Sequence, residues 1–581
     1  MHTFEVWSPA ARTMEVKIGK QKFPLSKRRR GWWSGSVDIA APDTGYQFIV
    51  NGEEPGLPDP RSPWQPDGVH EPSRIFDPAA FVWNDREWRA PAWESAIVYE
   101  LHIGTFTPEG TFEAAESRLD YLKELGISHI ELMPVATFPG ERGWGYDGVD
   151  LYAPHPAYGG PGGLQHFVNA CHRKGLAVLL DVVYNHLGPV GNYLSRFAPY
   201  FTASHCTPWG EATNLEDVES NEVRRFFIDN ALMWLRDYHF DGLRLDAVHA
   251  FVDRSAIHFL EQLASEVRAL ERETGKYFVV IAESDSNDPR LVSRTEDGGF
   301  GLDAQWSDDF HHALFAVLTG DRFGYYHDFG SLAALGKSLR EVFVYSGNYS
   351  EYRRRNQGRP VIGLPGYRFL GYAQNHDQVG NRARGDRLVQ IAGPGRAKIA
   401  AALVLTSPFI PLLFQGEEFG ASTPFHYFTS FEDPEMGRAV SEGRKQEFAA
   451  FVWSQDEIRD PQERETFEQS KLDWGELNQE PHAALLEWHK DLIRLRRAST
   501  DLTNGDLSAV KIRLDEEAKW LVMDRGRVRV ACNLGKAHAT LPSEGSAILL
   551  LASDPSVKVQ GTALALGPDS VGILLLPPAG T

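Results

Sequence analysis

The sequence predicts an α/β fold, a (β/α)8 TIM barrel flanked by an N-terminal and a C-terminal β-sandwich, with domains at 1–90, 91–503 and 504–581. Three observations predict it. Eight short apolar strands alternate with amphipathic helices through the middle of the chain. Both ends are built of short β-rich pieces separated by turn residues. The 581 residues suffice for three or four domains at roughly 150 residues each.

In the N-terminal part, 4–7, 14–18, 35–39 and 46–50 read as strands, punctuated by Ser8-Pro9 and Asn51-Gly52. Lys27 to Arg30 is the only dense basic run of this part and reads as a hairpin tip. The stretch holding Pro55, Pro58, Pro60, Pro63 and Pro66 is too stiff and polar for a core.

From about residue 95 the pattern becomes strand, then helix. The strands read 97–101, 129–133, 177–183, 242–246, 278–283, 304–306, 371–375 and 410–414. A helix over 111–125 places Phe112, Ala115, Leu119 and Leu122 on one face, and Gly126 stops it. Further helices read 164–173, 223–238, 256–272, 397–405 and 483–497. Buried apolar strands alternating with helices require a parallel sheet, and eight of them suggest closure into a barrel. A doubly wound open sheet is the alternative, but no GxGxxG follows the first strand. The run 399–414 reads as a buried helix and then a buried strand, since Pro408 and Pro411 interrupt it and it is too short to span a bilayer. After residue 505, strands return at 509–513, 520–524, 528–533, 546–551 and 571–576.

Composition removes several function classes. Apolar residues make up 42% and charged residues 24%, ordinary for a globular chain and too apolar for disorder. The net charge of −20 argues against a nucleic-acid partner, which needs a basic face. Nor does any segment ask for a membrane. Cys171, Cys206 and Cys532 lie far apart with no CxxC pair, which points to a reducing compartment. The N-terminus lacks the basic and apolar blocks of a signal peptide, so a cytoplasmic location is expected. With 15 Trp, 19 Tyr and 33 Phe the chain is rich in flat rings, which fill a large core or serve as platforms for sugars.

In such a barrel the working groups lie at the carboxyl ends of the strands. Those ends carry Asp181-Val-Val-Tyr-Asn185-His186, Arg244-Leu-Asp246-Ala-Val-His249, Ala282-Glu283-Ser284 and Gln374-Asn375-His376-Asp377-Gln378. A single rim aspartate is most often a structural ion pair, but four strands repeat the arrangement. Carboxylates converging from several strands suit acid/base and nucleophilic work on a polyhydroxylated substrate. No HExxH or paired-His helix spacing supports a catalytic metal.

These four motifs resemble, in order, those of the α-amylase superfamily of glycoside hydrolases. Longer stretches resemble its maltooligosyltrehalose trehalohydrolase family: Asp241-Gly-Leu-Arg-Leu-Asp-Ala-Val-His-Ala250, Gln305-Trp-Ser-Asp-Asp-Phe-His-His312, Gln374-Asn-His-Asp-Gln-Val-Gly-Asn-Arg382 and Phe414-Gln-Gly-Glu-Glu418. Phe419 stands where the resemblance leads one to expect tryptophan. The resemblance covers nearly the whole chain and implies an immunoglobulin-like, carbohydrate-binding-module-like N-terminal domain. It implies Asp246 as nucleophile, Glu283 as general acid/base and Asp377 as transition-state stabiliser. Arg244 should keep the Asp246 carboxylate ionised, and the charge of Asp377 should help Glu283 hold its proton. His186 and His376 are implied as hydroxyl donors at the scissile sugar, and Tyr146 is either a ring against that sugar's face or a packed loop aromatic. His249, Asp309, His311, His312, Gln378 and Asn381, with Trp209 behind them, are the candidates for substrate contacts, chiefly to the leaving disaccharide. Asn185 occupies the calcium position of many α-amylases, but the loop after it lacks an Asp-rich partner, so no metal and no cofactor are expected.

The implied reaction is hydrolysis of the α-1,4 bond next to a terminal α,α-trehalose unit of maltooligosyltrehalose, in functional pairing with a trehalose-forming synthase. A glucan branching enzyme shares the domain order and the triad and differs in using a sugar chain as acceptor. A sugar-binding protein with a dead site is disfavoured by the intact Asp246, Glu283 and Asp377.

Overall fold

A computed structural model of the protein describes residues 1–39, 43–208, 210–448, 458–543 and 547–578. At the N-terminus, a three-stranded sheet (His2–Trp7, Trp32–Val37, Ser26–Lys27) faces a four-stranded one (Gln21–Pro24, Met14–Ile18, Gly45–Val50, Ser73–Arg74). Phe4, Val6, Met14, Val16, Trp33 and Phe48 fill the space between them, with the Phe4 and Tyr46 rings 4.9 Å apart. Lys27 to Arg30 does form a hairpin connection, since Lys27 pairs with Trp33 and Arg30 takes the left-handed turn conformation at φ 56°.

The polar stretch that follows clasps the barrel from outside. His172 is buried between Asp85 (2.8 Å) and Asp241 (3.0 Å), and Trp88 donates its indole N–H to Asp241 at 2.8 Å. The rings of Trp88 and His172 stack at 4.6 Å. Asp241 also accepts the backbone N–H of Val178 at 2.8 Å, so the clasp reaches the first residues of two barrel strands.

Eight strands close the barrel in sequence order: β1 (Val98–Leu101), β2 (His129–Leu132), β3 (Ala177–Val182), β4 (Gly242–Leu245), β5 (Val279–Ala282), β6 (Ala304–Trp306), β7 (Phe369–Gly371) and β8 (Ile410–Phe414). All the barrel pairings are parallel. Leu179, Ile281, Leu370, Ile410 and Leu412 form an inner cluster with essentially no exposure. Each such side chain contributes about 1.5–3 kcal/mol by leaving water.

Several expected elements shift: the strand expected at 35–39 is Trp32–Val37, and the helix expected at 397–405 begins at Leu388. The expected helix over 111–125 is two pieces, Phe112–Glu116 and Leu119–Leu125, broken where the Ser117 N–H bonds back to Ala114 and Ala115; Gly126 ends it at φ 103°. β7 ends at Gly371 rather than Asn375. A Cβ at Gly371 would stand 2.9 Å from the Phe409 ring, so the chain passes close there and then leaves the sheet. Asn375 instead caps the short helix His376–Gly380.

The apolar run forms the helix Leu388–Thr406 followed by β8. That helix is the one element among the described residues long and apolar enough to cross a membrane. Here it packs on the barrel helices Asp308–Thr319 and His482–Ala498 and on strands of the C-terminal domain. The buried Arg496 guanidinium accepts no bonds but donates to the carbonyls of Leu405, Ser407 and Phe409, satisfying orphan groups past the helix end. The C-terminal sandwich has a five-stranded antiparallel sheet and a second sheet of Ala539–Pro542, Ala563–Leu566 and Lys558–Gln560. These three strands, of three or four residues, were too short to read from periodicity.

Candidate functional site

The strand ends meet in a cleft of about 590 Å³. Parallel pairing sets Asp181 on β3 level with Arg244 on β4, and both side chains point into the barrel. Arg244 is the hub. Its Nη1 lies 2.9 and 2.8 Å from the two Asp181 oxygens and 2.8 Å from Asp246 Oδ1, and its Nη2 lies 3.7 Å from Glu283 Oε2. The Trp306 ring sits against the guanidinium at 4.3 Å.

The backbone at this level is tightly specified. A Cβ on Gly242 would lie 2.3 Å from the Val279 carbonyl oxygen, so the motif needs glycine where β4 meets β5. Ala247, right after Asp246, holds φ 41°, a strained conformation for alanine. There its N–H donates to Glu283 Oε2 at 2.7 Å, tying the β4 loop to the β5 carboxyl. Asn375 accepts the N–H groups of Asp377 (2.9 Å) and Gln378 (3.2 Å), and Asn381 donates to Asp377 Oδ1 at 2.6 Å.

Electrostatics separate the carboxyls. Burial pushes Glu283 well above the usual carboxylate range, reinforced by the like charges of Asp246 and Asp308 and opposed by Arg244 and the Ala247 N–H. The like charges acting on Glu283 are thus those of Asp246 and Asp308, where the sequence pointed to Asp377. Asp181 is raised to about 6 by burial, with Arg244 pulling it down. Burial lowers His186, whose Nε2–H donates to the Tyr146 carbonyl at 3.0 Å.

Of the residues singled out in the sequence, Tyr146, His186, Arg244, Asp246, His249, Glu283, His312, His376, Asp377, Gln378 and Asn381 line this cleft. Gln378 is buried with its Oε1 unpartnered, a ready acceptor for a hydroxyl. Tyr146 has one ring face against His376 at 5.2 Å, which leaves a single face for a sugar. Two expected contacts do not reach the cleft. Asp309 turns away and accepts the N–H groups of Val344 (2.7 Å) and Tyr345 (2.8 Å) and the Asn287 amide (2.9 Å), a structural role. His311 is buried between the Ala373 carbonyl (2.8 Å) and the Tyr326 hydroxyl (3.0 Å). Trp209 lies outside the described residues.

Sequence reasoning missed Asp308, which lines the cleft in place of its neighbour. Successive helix residues point about 100° apart, and the pair Asp308-Asp309 gave no sign of which one faces inward. The Tyr372 hydroxyl donates to Asp308, and burial raises that carboxyl to about 7. Asp285, ion-paired to Arg353 at 2.8 Å, and Tyr325, which has His312 stacked on it at 4.8 Å, were also missed. Asp285 comes from the loop after β5 and Tyr325 from the three-residue helical turn Gly324–Tyr326, both too irregular for periodicity to carry information.

Among the described residues no three His, Cys, Asp or Glu side chains are grouped so as to hold a metal ion, while both amide atoms of Asn185 are buried without a partner. If carboxyl groups alone supply the nucleophile and the acid, as the motifs lead one to expect, exhaustive chelation leaves the hydrolysis rate unchanged. A rate lost on chelation and regained only with calcium would put an ion at Asn185.

Comparison with known proteins agrees with the motifs. The α-amylase catalytic-domain family matches residues 78–202, and a domain of unknown function (DUF3459) matches 505–573. The malto-oligosyltrehalose trehalohydrolase of Rhizobium sp. (strain M-11) is 46% identical, covering 98% of this chain and 97% of its own. A crystal structure of a putative α-amylase from Salmonella typhimurium superposes with a TM-score of 0.90 at 38% identity, covering 99% of this chain and 97% of its own. The 1,4-alpha-glucan branching enzyme GlgB of Geobacillus stearothermophilus is more distant, at 27% identity over 72% of this chain and 67% of its own.

Proposed function

The chain belongs to the malto-oligosyltrehalose trehalohydrolase family within the α-amylase superfamily, and from that premise we propose that Asp246, Glu283 and Asp377 divide the chemistry of a retaining hydrolysis between them. The protein is a glycosidase that cleaves the α-1,4 bond next to the terminal α,α-trehalose unit of maltooligosyltrehalose and releases trehalose. The distant branching enzyme does not favour a transferase.

The observation that carries the chemistry is the shared guanidinium of Arg244, with Asp246 at 2.8 Å and Glu283 at 3.7 Å. A retaining glycosidase needs two carboxyls about 5–5.5 Å apart, one ionised and one protonated. Asp246, paired with Arg244, attacks the anomeric carbon. Glu283, holding its proton through burial, delivers it to the glycosidic oxygen as that bond breaks and trehalose departs. The Glu283 carboxylate then takes a proton from water, whose oxygen displaces Asp246 from the sugar. Asp377, fixed by Asn375 and Asn381, binds the sugar hydroxyls as positive charge develops on the ring.

His249, His312 and Gln378, joined by Asp308 and the Asp285–Arg353 pair, form the leaving-group side in this reading, since they come from the β4, β5, β6 and β7 loops around Glu283. That side fits a disaccharide without a reducing end. A plain maltooligosaccharide presents its second ring differently and leaves polar groups unpaired, each at a cost on the order of 1 kcal/mol or more. Product chromatography is therefore expected to show free trehalose from the capped oligomer, and at least about tenfold slower cutting of plain oligomers of equal length. Equal rates would indicate a general α-amylase, and α-1,6 branches made in amylose without trehalose release would indicate the branching enzyme.

The proposed setting is trehalose biosynthesis in the cytoplasm. All three cysteines are free, with Cys171 and Cys532 buried, which supports a reducing compartment. The capped substrate must be made by an enzyme that converts the reducing end of a maltooligosaccharide into a trehalose unit, which supports pairing with such a synthase.

A further inference from the structure

Glu100 lies on β1, buried inside the barrel, and both its oxygens are engaged by one residue. Its Oε1 is 2.5 Å from His376 Nδ1, and its Oε2 accepts the His376 backbone N–H at 2.9 Å. On the other side of the imidazole, Nε2 is 2.8 Å from the Tyr146 hydroxyl, which donates to Asp181 Oδ2 at 2.6 Å. We propose that Glu100 is a positioning residue that keeps His376 doubly protonated, as an imidazolium under the scissile sugar. The kinetic consequence rests on the hydrolytic reading above; the protonation itself does not.

Counting protons along the chain leads there. The Tyr146 hydroxyl has one proton and spends it on Asp181, whose oxygens are also held by Arg244. Its oxygen can then only accept from His376, so Nε2 must carry a proton. Glu100 already accepts one N–H at Oε2 and turns its other oxygen to Nδ1, so as an acceptor there too it requires a proton on Nδ1. The charged and titratable groups facing His376 include Glu100 on β1, His102 just after it, Tyr146, Asp181 on β3, Arg244 on β4 and the adjacent Asp377, while Glu131 on β2, its carboxyl pushed well up by burial, lies beside Glu100. Burial disfavours the cation and so does Arg244, yet the balance with Glu100 and Asp377 raises His376. His102 is pushed down to about 3 by burial and adds no charge at neutral pH.

The cation adds positive charge beside Arg244 to a cleft floor rich in carboxyls. The Nε2–H, which the neutral ring also has, fixes the Tyr146 hydroxyl toward Asp181. Glu100→Gln keeps both contacts, because the amide oxygen can accept the backbone N–H while its NH2 donates to an unprotonated Nδ1. The shape survives and the charge does not.

The test is nitrogen-15 NMR of the histidine-labelled full-length enzyme, with His376→Asn used only to assign the resonance. At pH 8 wild-type His376 should show both ring nitrogens as N–H, and in Glu100→Gln it should be neutral, protonated at Nε2 alone. In the same variant kcat should fall roughly tenfold or more while KM stays within about threefold, with the deficit growing from pH 6 to pH 8. A neutral His376 in the wild type overturns the proposal, and that result needs no folded variant and no substrate. An imidazolium that persists in Glu100→Gln removes Glu100 from the role. A neutral histidine in that variant with an unchanged kcat and pH profile overturns the kinetic part and leaves the hydrolytic reading intact.

Discussion

Replacing Asp246 by asparagine is expected to lower turnover on the order of 10⁴- to 10⁶-fold while substrate binding stays within a few fold. The amide has the shape of the carboxylate and can still accept from Arg244 Nη1, now 2.8 Å from Oδ1, but it cannot form the glycosyl ester. The measurement is single-turnover cleavage of the capped oligomer alongside calorimetric binding of the same oligomer to the variant. Asp181 shares the guanidinium and keeps Arg244 in place, so the fold at the barrel mouth should tolerate the change. Near-normal turnover in that variant would take the nucleophile's role away from Asp246.

Glu283→Gln should cost about 10²- to 10⁴-fold on the natural substrate and far less on a substrate whose leaving group needs no proton. The pH dependence follows from the same environment. Burial first, then Asp246 and Asp308, raise the acid in the folded enzyme above its unfolded value. The acid form is thus fully present at low pH and is lost as pH rises through the folded value, so the glycosylation step has its alkaline limb there. The sign for stability is the same: a raised carboxyl stabilises the fold below its unfolded value, and that contribution is lost as pH rises through the folded one. Removing one of the like charges with Asp308→Asn should move the alkaline limb to lower pH. An alkaline limb unmoved by Asp308→Asn and unchanged in Glu283→Gln would mean that another group titrates there.

The legible part of the site was the part carried on strands. Asp181, Arg244, Asp246 and Glu283 lie on or just past the ends of β3, β4 and β5, where alternation and the barrel rule place them without further information. His376 and Asp377 were also legible, although β7 ends earlier than its apolar pattern implied, because Asn375 serves as a cap and not as a strand residue. The illegible part was carried on helix turns and long loops. Asp308 and Asp309 differ only in the direction they leave the first turn of a helix. The Asp285–Arg353 pair joins segments far apart in sequence. Glu100 read as one more residue of an apolar strand, and nothing in its neighbours announced a partner 276 residues away.

By itself the sequence determined the alternation of elements, the closed barrel between two β-sandwiches and the four motifs that bring carboxyls to one rim. These follow from local periodicity and from a rule of chain geometry, both of which are written into neighbouring residues. Only the tertiary structure decided which carboxyl keeps a proton, which face of the helix after β6 turns inward and how Glu100, His376, Tyr146, Asp181 and Arg244 connect. Protonation depends on burial and on charges brought within a few ångströms from distant strands, and hydrogen-bond direction depends on which atoms compete for each proton. Such quantities belong to the assembled site and to no single stretch of the chain.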